Sequence, residues 1–454
     1  MNVVMKFGGT SVADPDAIGR LIGIVRRQAA QDPHSPPVVV VSALAGVTDT
    51  LVSIARLAED GAVDRAAAEL QMLLERHISV ATAVTSTSRD AVLADLRHEF
   101  DELIGLVHAL AVLREVSPRS RDAVLAAGEV VSSRIVAAAF DDHDLPAAWI
   151  DARSVLVTDA EHTAAAPDMD ATTTRATGRL APAIRDGRVP VLGGFIGATA
   201  AGITSTLGRG GSDYSAAIFG ACLDVDEIQI WTDVDGMLTA DPRIVPQPRL
   251  VPQLSFAEAS ELAYFGAKVL HPSTILPAVA KNIPVRILNS RRPENTGTLI
   301  TASGAPANGQ QLTAIACKRD VTVIDITSTR MLMAHGFLRR LFEVFERFKT
   351  AVDVVTTSEV SVSVTVDDTR RLDSILDNLH TFAEASCERD MAIICAVGEN
   401  LRTDATLFAR AVTSLDRIPL RLVSQAASRR NITFVLRDAD VPHAMMRLHE
   451  SFFR

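Results

Sequence analysis

The start of the chain alternates a short apolar run, a segment of helical spacing and a second apolar run. Residues 3–7 predict a buried strand that stops at Gly8-Gly9, and residues 16–28 repeat apolar side chains at three- and four-residue intervals. The second run, residues 38–41, ends in Ser42-Ala43. This pattern predicts a strand–helix–strand unit whose polar loops follow the strand carboxyl ends, where open α/β sheets bind ligands.

The next stretch, residues 48–140, keeps helical spacing almost throughout, so we expect it to be nearly all helix. Strands and helices then alternate. We predict strands at 147–157, 191–196, 227–232 and 285–288, and helices at 212–222, 255–265 and 272–281. The chain therefore predicts an α/β fold with an open, mainly parallel sheet enclosed by helices.

A polar stretch rich in Gly, Ala and Pro, residues 301–311, marks a domain boundary. Beyond it, residues 321–382 recur as residues 391–453 with an offset of about seventy, each running strand, helix, strand, strand, helix. Two such βαββαβ units resemble a pair of ACT domains, ferredoxin-like modules that commonly bind amino acids. We expect domains at 1–300, 313–385 and 386–454, with a linker at 301–312.

Composition and charge narrow the range of partners. Charged residues make up 22% of the chain, the net charge is −10, and no basic block is present, so we expect no nucleic-acid partner. The four cysteines form no Cys-x-x-Cys pair, which argues against a disulfide framework or a structural zinc site. The N-terminus lacks the pattern of a signal peptide, and we expect a soluble cytoplasmic protein without a membrane partner.

The first candidate motif is Lys6-Phe7-Gly8-Gly9. A lysine at the end of a buried strand is held at the rim of the sheet. The two glycines allow the backbone to approach an anion closely and to point N–H groups at it. The alternative is an ordinary strand-to-turn transition with a solvated lysine.

A second motif surrounds Arg209 with glycines in the sequence Thr-Leu-Gly-Arg-Gly-Gly-Ser-Asp, residues 206–213. The loop opens directly into a predicted helix, and helix N-termini favour anions. Ser212 and Asp213 have the alternative role of capping that helix. Capping does not account for Arg209, whose guanidinium suits a small carboxylate.

Two further motifs carry charged residues. Trp-Thr-Asp-Val-Asp-Gly at 231–236, followed by Asp-Pro-Arg at 241–243, could order a nucleotide or a Mg²⁺–phosphate, or could be a simple turn. Phe-Gly-Ala-Lys-Val-Leu-His-Pro at 265–272 contains a single lysine, Lys268, for which a plain surface position is the alternative.

In this order the four motifs resemble those of aspartate kinases in the amino acid kinase family, over essentially the whole chain. Residues 354–362, Val-Val-Thr-Thr-Ser-Glu-Val-Ser-Val, resemble the regulatory strand of the monofunctional, lysine-sensitive class. The resemblance implies the amino acid kinase fold followed by two ACT domains. It also implies transfer of the γ-phosphoryl of ATP to the β-carboxylate of aspartate, the first step toward lysine, threonine and methionine. Mg²⁺ is expected to be carried on the ATP phosphates.

The resemblance also assigns roles to individual residues. The expected catalytic residues are Lys6, Asp213 and Lys268. The expected nucleotide contacts are Lys6, Gly8, Gly9, Thr232, Asp233, Leu238, Arg243, Lys268 and Val269. The expected aspartate contacts are Thr48, Glu129, Arg209, Ser212 and Asp213. Arg209 is expected on the α-carboxylate and Glu129 near the ammonium, and no residue is expected to be a dedicated metal ligand.

In the first ACT unit the resemblance implies an effector pocket between paired subunits. Its expected residues are Met331, Ala334, Gly336, Phe337, Leu338, Asp353, Ser358 and Glu359. Asp353 and Glu359 could pair with the ε-ammonium of lysine, which threonine lacks, so lysine is favoured as the effector. The alternative is that these carboxylates are ordinary surface charges. A homodimer through the ACT domains is the minimum assembly, with a tetramer as the alternative.

Two other functions stay open at this point. One is a related kinase that acts on glutamate, acetylglutamate or a nucleoside monophosphate, against which the motif at 206–213 and the paired ACT units argue. The other is a non-catalytic amino-acid sensor that keeps only the fold. The presence of Lys6, Arg209, Asp213 and Lys268 argues against that alternative.

Overall fold

The computed structural model describes residues 2–266, 270–304, 312–328, 335–399, 401–425 and 429–454. The chain divides into two compact units. The first comprises Met1–Met237, Pro252–Phe256 and Val269–Ser303, and the second comprises Leu238–Val251, Ala257–Lys268 and Gly304–Arg454. The division after Ser303 falls inside the predicted linker. Two segments of the predicted first domain, 238–251 and 257–268, are grouped with the second unit.

The first unit contains eleven strands among its described residues, most of them short and buried. They are β1 (Val3–Phe7), β2 (Val38–Val41), β3 (Ala147–Trp149), β4 (Val157–Thr158), β5 (Val189–Gly193), β6 (Ile196–Thr199), β7 (Thr204–Thr206), β8 (Glu227–Thr232), β9 (Gln253–Ser255), β10 (Val285–Asn289) and β11 (Thr298–Thr301). Eight form one sheet in the order β3-β5-β2-β1-β8-β10-β11-β9, and β4-β6-β7 form a smaller sheet.

The strands from β3 to β10 in the large sheet pair in parallel, and β11 pairs antiparallel to β10. Every residue of β1 and β2 is buried, as expected for parallel strands covered on both faces. The predictions for β1, β2 and β8 are confirmed. Because β1 lies between β2 and β8, the carboxyl end of β1 lies at the middle of the sheet edge where such folds bind ligands.

Nine α-helices occur between residues 2 and 304 among those described, and two of them begin with both a side-chain cap and a proline. They are α1 (Pro15–Gln31), α2 (Val47–Glu59), α3 (Val63–Val84), α4 (Arg89–Leu113), α5 (Pro118–Asp142), α6 (Met169–Arg185), α7 (Gly211–Leu223), α8 (Phe256–Tyr264), whose residues from 257 on are in the second unit, and α9 (Leu276–Lys281). Asp14 and Ser117 accept hydrogen bonds from the first turns of α1 and α5, each followed by a proline at the first helical position. The helical prediction for residues 48–140 is confirmed as α2 to α5.

Helix α5 is long and apolar enough to cross a membrane by length and composition alone. However, 78% of its most apolar window is buried inside the protein, which is the usual situation of a core helix. Its residues Val124, Val131 and Ile135 belong to the main hydrophobic core of the first unit.

The second unit is built on a six-stranded antiparallel sheet in the order β13-β14-β12-β15-β17-β16. Its strands are β12 (Leu312–Thr327), β13 (Val355–Thr357), β14 (Ser361–Val366), β15 (Glu384–Gly398), β16 (Leu422–Ser424) and β17 (Asn431–Arg437). Its helices are α10 (Phe337–Arg347), α11 (Leu372–His380), α12 (Ala405–Ser414) and α13 (Val441–Phe453). The predicted repeat is present, as β12-α10-β13-β14-α11 and β15-α12-β16-β17-α13.

The two central strands β12 and β15 are long enough to serve both repeats. The start of β12 pairs with the end of β15, as in Leu312↔Gly398, and the end of β12 pairs with the start of β15, as in Thr327↔Glu384. The register shifts between Lys318 and Val321, close to Asp320, whose φ of 58° is left-handed. Each repeat therefore completes its sheet with a strand segment from the other.

Candidate active site

A cavity of about 580 Å³ opens at the carboxyl ends of β1 and β2 in the first unit. It is lined by β1, by the loop from β2 to α2, by α5 and by the loop from β7 to α7. Seven of the predicted site residues line it together: Lys6, Gly9, Thr48, Glu129, Arg209, Ser212 and Asp213. The structure thus brings the predicted aspartate contacts and the predicted phosphoryl-stabilising lysine to one place.

Lys6 is held rigidly at the floor of this cavity. It lies in register with Val40 on β2 and Ile230 on β8. Its Nζ is 2.6 Å from Asp213 Oδ1, and the two side chains are only 11% and 14% exposed. The carboxylate of Asp213 therefore compensates the charge of a largely buried ammonium that lines the cavity.

Two helix N-termini open into the same cavity. Helix α2 begins after Gly46, at φ 80°, and α7 begins after Gly210, at φ 68°. Neither N-cap supplies a side chain for the first-turn N–H groups, because both are glycines in the left-handed conformation. The Val47 and Gly211 N–H groups donate to the Leu44 and Gly208 carbonyls at 2.9 and 3.0 Å. The other N–H groups of each first turn, together with the helix dipoles, make both ends attractive to anions.

The close approach of α7 to β5 depends on a missing side chain. A Cβ at Gly194 would lie 2.7 Å from Ser212 Cβ and 2.8 Å from Ser212 Cα. Any larger residue would therefore push the start of α7 away from the sheet, and Ser212 and Asp213 would move with it.

Glu129 is a buried acid on the wall of the cavity. Its side chain receives a 3.3 Å hydrogen bond from the Ala43 N–H on Oε1. Its Oε2 is buried and has no hydrogen-bond partner among the described residues. Burial raises the pKa of Glu129 to about 8, against the opposing effects of the Ala43 N–H and Lys6. An ammonium group bound beside it would satisfy Oε2 and restore the ionised form.

Asp122 is a fully buried carboxylate that our motif analysis did not identify. It accepts a 2.6 Å hydrogen bond from Thr206 Oγ1 and 3.1 Å hydrogen bonds from the Thr163 N–H, and it lies 2.8 Å from His162 Nδ1. Thr163 and Thr206 both line the cavity. Asp122 therefore fixes the wall from which the loop bearing Arg209 departs.

The loop arginine and a second arginine add positive charge. Arg209 is exposed, and no carboxylate of the described residues lies within ion-pairing distance of it. Arg121 was missed by the motif analysis, although it lies eight residues before Glu129 in α5 and lines the same cavity. The four-residue spacing of Arg121, Leu125 and Glu129 is the signal that could have revealed it.

The predicted nucleotide contacts are less compactly arranged. Thr232 ends β8, and Asp233 follows it with an exposed carboxylate, but neither lines the cavity. The Gly8 N–H already donates to the Trp231 carbonyl at 3.0 Å, so the expected backbone donor at Gly8 is not free in this structure. Gly9 does line the cavity.

Two of the residues predicted to bind the nucleotide, Leu238 and Arg243, belong to the second unit. Leu238 forms an isolated antiparallel bridge with Leu250. Arg243 is an exposed side chain paired with Asp241 at 2.6 Å. Lys268 and Val269, predicted to bind the nucleotide, lie outside the described residues. The described residues contain no group of three or more His, Cys, Asp or Glu side chains placed to hold a metal ion.

The predicted effector residues belong to the second unit, and Met331 and Ala334 among them lie outside the described residues. Gly336, at φ 85°, is the N-cap of α10, so Phe337 and Leu338 open that helix. Ser358 and Glu359 are exposed. Asp353 is different: its side chain is buried and paired with Lys318. An ordinary surface charge is therefore excluded for Asp353.

Both parts of the chain are similar to known protein families. The model of the amino acid kinase family matches residues 1–289, and a model of the ACT domain matches residues 394–452. Aspartokinase 1, chloroplastic, of Arabidopsis thaliana is 36% identical over 465 residues, covering 99% of this chain and 80% of that protein. The lysine-sensitive aspartokinase 3 of Escherichia coli is 34% identical over 461 residues, covering 99% of both.

The chain belongs to the aspartokinase family.

Among solved structures, Escherichia coli aspartokinase III in complex with aspartate and ADP, in its R-state, matches with a TM-score of 0.84 and 33% identity, covering all of both chains. The same aspartokinase in complex with lysine and aspartate, in its T-state, matches with a TM-score of 0.83. The predicted fold class, an amino acid kinase fold followed by ACT domains, is confirmed. The roles given to individual residues stay predictions.

Proposed function

We propose that this aspartokinase transfers the γ-phosphoryl group of ATP to the β-carboxylate of L-aspartate, giving 4-phospho-L-aspartate and ADP. The observation that carries the proposal is the single cavity in which Lys6, Arg209 and two uncapped helix N-termini surround the buried acid Glu129. An α-amino dicarboxylate presents the matching charges, two carboxylates and one ammonium. The named relatives support the same substrate, since Escherichia coli aspartokinase III is known in complex with aspartate and ADP.

The chemistry requires little acid–base assistance. The β-carboxylate is already ionised at pH 7, so one of its oxygens attacks the γ-phosphorus directly while the bond to the ADP oxygen breaks. The barrier arises from bringing an anion up to a polyanion. Positioning and neutralisation of charge are therefore the main contributions of the protein.

Different charged groups around the cavity would bind the two ends of aspartate. Arg209 would bind the α-carboxylate, and Glu129 would bind the ammonium through its free Oε2. Thr48, Ser212 and Asp213 would complete the pocket from the first turns of α2 and α7. Lys6 would stabilise charge on the transferring phosphoryl group, with Asp213 holding its ammonium in place.

The nucleotide would be bound on the β8 side of the sheet. Gly8, Gly9, Thr232 and Asp233 of the first unit are the contacts we propose for ATP. Mg²⁺, when bound, would neutralise the ATP phosphates and be carried mainly by them rather than by protein ligands.

We further propose lysine as a feedback effector of the second unit. Phe337 and Leu338 open α10, whose N-terminus would take the effector carboxylate, and Asp353 and Glu359 would face its ε-ammonium. We propose that the enzyme is a homodimer formed through its ACT units. We also propose that it is soluble and cytoplasmic and has no membrane or nucleic-acid partner. Lysine-bound Escherichia coli aspartokinase III supports the choice of effector over threonine.

The test is phosphoryl transfer measured as ADP release, with the acyl phosphate trapped by hydroxylamine. Aspartate should be phosphorylated, and glutamate, N-acetylglutamate and uridine monophosphate should each react at least about 100-fold more slowly. The reason is that a pocket that binds both ends of its substrate discriminates against molecules of a different length or charge. Adding lysine or threonine to the aspartate reaction tests the effector. Preferred turnover of another substrate, or inhibition by threonine alone, would overturn the corresponding part of the proposal.

A further inference from the structure

A buried ion-pair cluster lies in the second unit around Asp353. The Asp353 side chain is 1% exposed, and its Oδ1 lies 2.7 Å from Lys318 Nζ. The same oxygen accepts a 2.8 Å hydrogen bond from Tyr264 Oη. Its Oδ2 is buried and has no hydrogen-bond partner among the described residues. One oxygen of this carboxylate is therefore doubly bound while the other is left unsatisfied.

The cluster has fewer positive than negative charges. Lys318 Nζ also lies 2.8 Å from Asp367 Oδ2, so one ammonium serves two carboxylates. Burial alone would lower the pKa of Lys318, but its hydrogen bonds to Asp353 and Asp367 reverse the sign and raise it, so the amine stays protonated. Tyr264, which donates to Asp353, is kept neutral because burial and that hydrogen bond raise its pKa. The cluster therefore has a net charge of about minus one.

The backbone holds Asp353 in this position. Its N–H donates to the Thr365 carbonyl at 3.0 Å, and the next N–H, of Val354, donates to Thr365 Oγ1 at 2.8 Å. Lys318 lies just before the register shift of β12. A buried carboxylate oxygen without a partner is costly, and a carboxylate fixed in place cannot turn it to solvent.

We propose that Lys318 is a built-in competitor for the effector ammonium at Asp353, and that it sets the affinity of this aspartokinase for lysine. The proposal rests on lysine as the effector in the proposed function. An incoming ε-ammonium would bind Oδ2 and compensate the unbalanced charge, while the Lys318 ammonium would shift toward Asp367. Lys318 makes the site weaker than a bare carboxylate would be, because its ammonium repels the incoming one.

The experiment compares Lys318→Met with the wild-type protein by calorimetric binding of L-lysine and by thermal unfolding with and without it. We expect Lys318→Met to bind lysine at least about 10-fold more tightly, because a buried charge without a partner gains most from a ligand that supplies one. L-Norleucine, which lacks the ε-ammonium of lysine, should bind no more tightly to the variant than to the wild type. Arg319→Met, which removes the neighbouring exposed pair with Asp438, is the matched control and should bind lysine as the wild type does.

Several outcomes separate this inference from the proposed function. If the wild type is inhibited by lysine and Lys318→Met binds it no more tightly, the inference is wrong and the effector assignment stands. If the wild type does not bind lysine and Lys318→Met does, the inference is supported and lysine is not the native effector. If neither binds lysine, both are wrong. Should Lys318→Met fail to fold, Lys318→Gln and the double variant Lys318→Met/Asp353→Asn replace it. The inference is supported if Lys318→Gln binds L-lysine more tightly than the wild type does and the double variant does not.

Discussion

The two units contain nearly the same ion pair in opposite surroundings. Lys6 and Asp213 lie 2.6 Å apart beside the cavity of the first unit, and Lys318 and Asp353 lie 2.7 Å apart in the second. Each pair is mostly buried, and in each region a buried carboxylate oxygen, of Glu129 or of Asp353, has no hydrogen-bond partner among the residues that the structure describes. The geometry of the pair alone does not distinguish the two places.

The difference is in the charge around each pair. The first cavity is lined by Lys6, Arg121 and Arg209 against two exposed or paired carboxylates, Asp49 and Asp213, while Glu129 is largely protonated at pH 7. Two helix N-termini add to this positive potential. The cluster around Lys318 has one cation for two carboxylates. On the proposed function, the same kind of lysine–carboxylate pair would belong to an anion-binding site in the first unit and to an ammonium-binding site in the second.

The largest effect we expect comes from removing the cation of the first pair. Lys6→Ala should lower kcat by about 10²–10³-fold, because the charge on the transferring phosphoryl group loses its fixed counter-ion, as when a single oxyanion donor is removed. ATP should still bind, since other groups are proposed to contact the nucleotide. Steady-state kinetics with varied ATP and aspartate measure both quantities.

Lys281→Ala is the matched control for this substitution, because Lys281 is exposed and its partner Asp224 lies 3.5 Å away at the surface. Its kcat should stay within about 2-fold of the wild type, as expected of a surface ion pair. Near-normal turnover in Lys6→Ala would contradict the role given to the first pair and remove the contrast between the two units.

Much of the frame that positions these pairs is predictable from sequence, for a physical reason. Strands β1, β2 and β8 are buried on both faces, so apolar residues recur closely along them. Only Lys6 in β1 and Glu227, Gln229 and Thr232 in β8 interrupt this apolar pattern. Helix α6 was not predicted because it is rich in Thr and contains Gly178 and Pro182, which disfavour helix. It is held instead by burial of Thr172, Ala176 and Leu180 at four-residue spacing.

Some residues of the candidate site are likewise predictable from sequence, and others are not. Lys6, Arg209 and Asp213 occur in glycine-rich motifs that indicate anion binding. Asp122 is invisible to such reasoning because its partners Thr163 and Thr206 are 41 and 84 residues away. The pairing of Lys318 with Asp353 likewise depends on where the register of β12 shifts, which the apolar pattern of a strand does not encode.

A smaller effect is expected when the side chain of Arg209 is removed. Arg209→Ala should raise the KM for aspartate by about 10–100-fold, because a charge-assisted contact to a carboxylate contributes roughly 1.5–3 kcal/mol. The KM for ATP should change little. Arg188→Ala, an exposed residue of the same unit whose nearest carboxylate is 4.0 Å away, is the control. An increase confined to the KM for ATP would move Arg209 to the nucleotide side and weaken the charge comparison.

The buried side chain of Glu129 should make the free energy of unfolding depend on pH. Glu129 has an ordinary pKa of 4.5, and burial raises it to about 8 in the folded protein. Between these values the folded state binds a proton that the unfolded state lacks, so the free energy of unfolding falls as pH rises, by up to about 1.4 kcal/mol per pH unit. Glu129→Gln carries no such penalty. Without aspartate, its Tm should exceed that of the wild type by a margin that grows from pH 5 to pH 8, and a constant margin would contradict the burial argument.

The smallest signal we expect is a fraction of one proton. At pH 7 the free enzyme holds Glu129 mainly protonated, and an aspartate ammonium bound at Oε2 should lower its pKa and expel that proton. Calorimetry of aspartate binding in buffers of different ionisation enthalpy should therefore show net release of up to one proton, declining toward zero at pH 9, where the acid is ionised beforehand. The cluster around Lys318 should behave differently on binding lysine, because Lys318 keeps its proton and the carboxylates are already paired with it. Equal proton release at both sites would contradict this expected difference. The contrast between the two units would then lie in geometry rather than in charge.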